Sequence, residues 1–151
     1  MKDQFAGQAI VVENALGFWV HRVYQASRNE MFREFHDVGE DVTPEQWAVL
    51  IRLWEQDGRG QSELSEATFR DRPTMSRIVD GMEARGLLVR RKSPEDARVR
   101  TIHLTRKGRE LEKKLVPIVK RIVERMVAGI DEHALETTRS TLRHMFENLD
   151  R

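Results

Sequence analysis

The side chains that could do chemistry in this chain are concentrated in one short stretch, and they are cations. Residues 85–109 hold Arg85, Arg90, Arg91, Lys92, Arg98, Arg100, Arg106, Lys107 and Arg109 against two acids, Glu95 and Asp96, a net of +7. Residues 1–84 carry a net of −6, and residues 110–151 carry eight charges of each sign. The whole chain sums to +1, so the total hides this division. A local excess of that density is an electrostatic footprint for a polyanion. The competing reading is a solvated basic surface, and what the segment folds into decides between them.

Other chemistries find no residues to carry them. The chain has no cysteine, which removes disulfides, thiolate metal sites, thiol nucleophiles and thiol redox sensing together. His21, His36, His103, His133 and His144 are scattered, and none belongs to a His-Glu-x-x-His pattern. His36-Asp37 with Glu40 and Asp41 reads as a solvated loop rather than a metal site. There is no glycine-rich phosphate loop: Arg59-Gly60 and Arg106-Lys107-Gly108 read as turns or caps. No Ser or Thr sits in a nucleophile elbow. The expectation is therefore no enzyme, no cofactor and no metal. No run approaches the roughly 18 apolar residues of a membrane span. Met1-Lys2-Asp3-Gln4-Phe5 lacks the features of a secretory signal. No membrane association is expected, and the cytoplasm is the expected compartment.

The elements that must position the cations follow from periodicity. A chain of 151 residues fits one domain with an appended element. Residues 8–36 read as a long helix with an apolar band through Val12, Leu16, Trp19, Val20 and Val23, continuing to Met31, Phe32 and Phe35. A band that wide, with Phe18 and Tyr24 added, packs on more than one neighbour. Thr43-Pro44-Glu45-Gln46 is a capping-box start for a helix that buries Trp47, Leu50, Ile51 and Trp54. A short helix over 61–68 has Leu64 and Ala67 inside. Asp71 caps a helix that runs to Arg85, buries Met75, Ile78, Val79 and Met82, and stops at Gly86. The period then changes: 87–91 and 99–104 are two strands, linked by Ser93-Pro94-Glu95-Asp96-Ala97. Thr105 caps a helix over 106–128 with Leu111, Leu115, Ile118, Val119, Ile122 and Met126 inward and a kink expected at Pro117. Asp131 caps a last helix striped by Leu135, Leu142, Met145, Phe146 and Leu149.

Residues 61–104 then run in the order of a winged helix-turn-helix: short helix, turn, helix, glycine, basic hairpin. Its second helix is of a size to enter a DNA major groove. With Met75, Ile78, Val79 and Met82 facing the core, Pro73, Thr74, Arg77 and Asp80-Gly81 face outward, and Ser76 lies near them; the competing reading of Arg77 is an exposed helical side chain paired with Asp80 or Asp71. Arg77 suits a guanine edge, Thr74 and Ser76 suit bases or phosphates, and free N–H groups at the helix start favour a phosphate. Arg70 and Arg72 stand beside the cap as further DNA contacts. Arg90, Arg91 and Lys92 approach the hairpin tip, and Arg98 and Arg100 leave it, an arrangement suited to a minor groove or a phosphate ridge. Asp96, two residues from Arg98, is placed to hold that side chain extended.

These residues together resemble the MarR family of bacterial transcriptional regulators. The likeness lies in Thr43-Pro44-Glu45-Gln46-Trp47-Ala48-Val49-Leu50, Glu63-Leu64-Ser65-Glu66, Pro73 to Asp80, Met82-Glu83-Ala84-Arg85-Gly86-Leu87, Pro94-Glu95-Asp96-Ala97-Arg98 and Leu104-Thr105-Arg106-Lys107-Gly108. The resemblance implies a homodimer joined by its first and last two helices. It implies a pseudo-palindromic double-stranded DNA operator, with Arg98 in the minor groove and Pro73, Thr74, Ser76 and Arg77 at the major groove. It also implies release of DNA by a small aromatic or anionic effector, bound between the dimer helices and the winged module. Trp19, Arg22 and Trp47, with His21 and Trp54, are the residues offered for that pocket. Two positions depart from the family pattern: Phe69 stands where the turn usually has Gly, followed by Arg70, and Ala97 stands where the wing tip is often basic.

The expected fold is thus mainly α with a small β hairpin. A winged helix-turn-helix over 43–104 is flanked by dimerisation helices in 1–38 and 105–151. The expected function is a homodimeric, DNA-binding repressor. The alternative is a winged-helix protein-interaction or scaffold module whose basic hairpin docks an acidic partner, since fold alone does not decide between them.

Overall fold

Short polar side chains set four of the helix starts. In the computed structural model, which describes residues 15–93 and 100–150, Thr43 Oγ1 accepts from the Gln46 N–H, and Gln46 Oε1 accepts from the Thr43 N–H, both at 3.3 Å. This reciprocal cap opens α2 (Pro44–Glu55). Asp71 opens α4 (Arg72–Ala84), Thr105 opens α5 (Arg106–Val127) and Asp131 opens α6 (Glu132–Leu149), each accepting from a main-chain N–H three residues on. The first described helix, α1 (Leu16–Asp37), has no side-chain cap, and the short α3 (Gln61–Ala67) follows Gly60. Residues 8–14 of the expected first helix, Val12 among them, lie outside the described residues. Pro117 sits inside a continuous α5.

The sheet has one strand more than the sequence suggests. Arg59–Gly60 forms a two-residue β1, where a turn was expected. It pairs antiparallel with β3 (Arg100–Leu104), which pairs antiparallel with β2 (Leu88–Lys92), so the order is β1-β3-β2. Arg59 faces Ile102, and the β2–β3 ladder runs from Leu88 opposite Leu104 to Lys92 opposite Arg100. The residues beyond that last rung, 94–99, lie outside the described residues, so the expected wing-tip contacts of Asp96 and Arg98 are not described.

The core sits where α2, α3, α4 and the sheet meet, with Leu50, Leu53, Leu64, Met75, Val79, Met82 and Ile102 fully enclosed. Val49 and Leu53 are buried, whereas Ile51 and Trp54, expected inside, are half-buried. Phe35 of α1 and Leu111, Leu115, Ile118 and Ile122 of α5 extend the same core toward the long helices. Met126, expected inward on the α5 stripe, is 46 % exposed, because α5 has run past the edge of the core by that turn. Across α1 and α5, Arg125 bonds Glu30 and Glu34, and Lys114 of α5 bonds Glu40, in the loop after α1, at 2.6 Å. These exposed pairs orient the helices more than they stabilise them.

The long helices leave much of their apolar surface open. Phe35 is the one buried residue of α1, and α6 has none. Leu16, Trp19, Val20 and Val23 on α1, and Leu142, Met145, Phe146 and Leu149 on α6, are exposed.

Candidate nucleic-acid interface

The turn before α4 is built on an unusual residue. Phe69 holds φ at 53°, the left-handed region that glycine favours. It does so as the closing residue of α3: its N–H bonds the Glu66 carbonyl at 3.1 Å, and the next N–H, of Arg70, bonds the Ser65 carbonyl at 2.9 Å. The departure from glycine therefore leaves the hydrogen-bonding pattern of the turn intact, at a steric cost of about 1–2 kcal/mol. The Phe69 ring is 75 % exposed, and its edge meets Phe146 of α6 with centroids 5.4 Å apart.

One residue past Arg70, Asp71 locks the start of α4. Its carboxylate accepts from the Thr74 N–H at 2.7 Å and from the Thr74 hydroxyl at 3.0 Å. The main-chain bond first, then the hydroxyl, hold the Asp71 carboxyl below its ordinary value. Met75, Val79 and Met82 face the core, which turns Arg72, Pro73 and Arg77 to solvent and leaves Thr74 and Ser76 half-buried. Arg77 leans on the Thr74 hydroxyl at 3.3 Å, not on Asp71 or Asp80. Of the residues expected at base edges, Pro73 and Arg77 are thus exposed, and the Thr74 hydroxyl is engaged by Asp71 and Arg77.

The basic segment divides in two. Five of its cations are engaged within the chain. Arg85 bonds the Asp41 carbonyl and Gln46, Lys107 bonds the Arg85 carbonyl, Arg106 pairs with Glu110, Arg109 pairs with Asp57, and Arg90 pairs with Asp80 and Glu83. Arg91, Lys92 and Arg100 are different: all three are exposed, and no carboxylate among the described residues pairs with them. Lys92 and Arg100 stand directly opposite each other in the last described rung of the ladder. Like charges so placed repel, which favours an anion beside the rung.

Two clefts flank Trp47, which is 9 % exposed. One, of about 590 Å³, lies between α1, α2, α5 and the turn, with Tyr24, Arg28, Met31, Phe69 and Arg70 in its walls. The other, of about 510 Å³, lies between α2 and α5, with Ile51, Trp54, Val116 and Val119. Trp47 and Trp54 meet edge to face at 5.5 Å. The expected grouping of Trp19 and Arg22 with Trp47 is not formed within one chain. Trp19 is 53 % exposed with its ring against Phe18, and Arg22 lies over the Phe18 ring at 5.9 Å. Both belong to the open stripe of α1, because their spacing fixes a helix face but not what that face meets. The sequence reading missed Arg28, Tyr24 and Phe69 as cleft residues. Arg28 also pairs with Glu45 of α2 at 2.8 Å.

No helix among the described residues is long and apolar enough to cross a membrane, and no group of three or more potential ligand side chains there is placed to hold a metal ion.

Comparison with known proteins agrees with this geometry. Residues 42–100 match the model of the MarR family. An organic hydroperoxide resistance transcriptional regulator of Bacillus subtilis is 31 % identical over 109 residues, 71 % of each chain. The transcriptional repressor CouR bound to a 23-mer DNA duplex superposes with a TM-score of 0.75 at 28 % identity, covering 93 % of this chain and 95 % of that one. BpsR of Bordetella bronchiseptica, whose DNA binding is regulated by 6-hydroxynicotinic acid, superposes with a TM-score of 0.81 at 25 % identity, covering 91 % and 97 %. With its winged module, its exposed reading helix and these relatives, the chain belongs to the MarR family of DNA-binding transcriptional regulators.

Proposed function

We propose that this chain is a cytoplasmic, homodimeric repressor of a pseudo-palindromic operator. In this reading the unit over 43–104 reads DNA, and the flanking segments 1–38 and 105–151 join two copies. Pro73, Thr74, Ser76 and Arg77 meet the major groove, and Arg70 and Arg72 meet the adjoining phosphates. Arg91, Lys92 and Arg100 carry the hairpin along the duplex, with Asp96 holding Arg98 toward the minor groove. The observation that carries the reading is the exposed rung of Lys92 and Arg100, with no carboxylate partner among the described residues, together with the exposed start of α4. A second copy is supported by the open apolar stripes of α1 and α6, whose exposure a lone chain in water does not favour. Two-fold symmetry would set the two reading helices roughly 34–36 Å apart, about one turn of DNA.

A small aromatic or anionic effector fits the cleft of about 590 Å³, where Tyr24, Trp47 and Phe69 supply ring faces and Arg28 and Arg70 supply charge. Trp19 and Arg22 would reach such a site only from the second copy. CouR with DNA and BpsR with its regulator support both halves of the proposal.

Selection of bound fragments from random DNA tests the operator reading. Recovery of an inverted repeat with half-sites about one turn apart is the expected result. Absence of any shift at low salt would overturn it and favour an acidic protein partner.

A further inference from the structure

We infer that Arg90 is a positioning residue for DNA binding and not a DNA contact: it clamps the hairpin to the reading helix so that the two meet a duplex as one surface. This rests on the DNA reading above. By composition Arg90 belongs to the basic footprint, next to Arg91 and Lys92. Its surroundings set it apart. The side chain is only 20 % exposed. One guanidinium nitrogen bonds Glu83 Oε2, and the other bonds Asp80 Oδ1 at 2.5 Å and approaches the Ser76 carbonyl at 3.5 Å. The Arg90 main-chain N–H adds a bond to Glu83 Oε1 at 3.0 Å, so both oxygens of Glu83 are taken by one residue of β2.

The spacing explains what the clamp spans. Ser76, Asp80 and Glu83 lie four and three residues apart, which places them along one flank of α4. Pro73 and Arg77 lie on the adjoining outward face. A planar guanidinium can bridge two carboxylates a turn apart, whereas an ammonium on a flexible stem binds as a point charge. Arg90 thus fixes the inclination of β2 to α4 beside the face that reads DNA. It also shields two acids that would otherwise repel the phosphates. The Glu83 carboxyl is held below its ordinary value, first by the Arg90 main-chain N–H and then by its guanidinium, so it stays ionised in the clamp.

The test turns on a sign. Glu83→Gln removes a negative charge near the DNA, so simple electrostatics expects tighter binding, whereas the clamp expects weaker binding. The probe is a fluorescein-labelled duplex recovered by selection from random DNA, read by anisotropy and by hydroxyl-radical footprinting. Glu83→Gln and Arg90→Lys should each weaken binding roughly tenfold. The flanking protection by the hairpin should fade while the central major-groove protection persists, and the thermal midpoint should fall only modestly, without collapse. Wild-type affinity with intact flanking protection in both variants would overturn the clamp. So would a uniform loss of protection with a collapsed midpoint, which would make Arg90 a residue of the fold alone. A wild-type protein that binds no duplex would overturn the DNA reading itself, and the clamp with it.

Discussion

The indole N–H of Trp54 donates to the carbonyl oxygen of Gly108 at 3.1 Å, tying the last turn of α2 to the first turn of α5. Gly108 also lets the first turn of α5 lie against the chain before β2: a Cβ there would stand 2.2 Å from the Leu87 carbonyl oxygen. That oxygen also accepts from the Thr105 N–H and hydroxyl, so it is not free to move. Gly108→Ala should therefore cost about 1–3 kcal/mol through forced displacement of α5. Trp54→Phe, which removes the hydrogen bond and part of the indole's packing on Trp47, should cost about 1–2 kcal/mol. Denaturant titration of both variants checks the order, and an alanine variant as stable as wild type would contradict the crowding.

Phe69 gives a prediction that separates backbone from side chain. Phe69→Ala keeps the left-handed strain and loses the contact with Phe146. Phe69→Gly loses the same contact and relieves the strain. The glycine variant should exceed the alanine variant in stability by about 1 kcal/mol. Equal stabilities would mean that the turn has relaxed out of the left-handed region.

The division of the basic segment predicts unequal salt dependence. Arg100→Ala and Lys92→Ala should each lower the slope of log binding constant against log salt by about one, as loss of a phosphate contact does. Arg106→Ala should leave the slope unchanged, because Glu110 already holds that guanidinium at 2.8 Å. Equal slopes for all three would show that the segment acts as a diffuse cloud of charge.

Acid should weaken the fold through Asp71 and Glu83. Both carboxyls are held below their ordinary values of 3.8 and 4.5. A depressed folded value contributes stability that is present above the unfolded value and is lost as pH falls through the folded one. At neutral pH Asp71→Asn and Glu83→Gln should melt below wild type, and the curves should converge as pH falls beneath those ordinary values and through the lowered folded ones, where the wild-type carboxylates take up protons. Parallel curves throughout would mean that neither group is linked to folding.

The sequence made the helix starts legible because a cap is a local matter: Thr43, Asp71, Thr105 and Asp131 each act within three residues of themselves. It also placed the outward face of α4, since the buried Met75, Val79 and Met82 fix the helix rotation. What stayed hidden is tertiary. Two residues carry no period, so β1 became visible only through its partner Ile102, over forty positions away. Strand alternation separates Arg90 from Arg91, but nothing local says which of the two meets α4. Trp19 and Trp47 both read as aromatic helix residues, yet one is open and the other enclosed, because only packing distinguishes a stripe that meets its own chain from one that does not.

The last helix has a consequence for how this protein can be said to be stable at all. An 18-residue segment with nothing buried is marginal by itself in water, so its order is borrowed. If a second copy is the lender, mass action enters every measurement: dilution becomes a denaturant, and the melting point becomes a function of how much protein is in the tube.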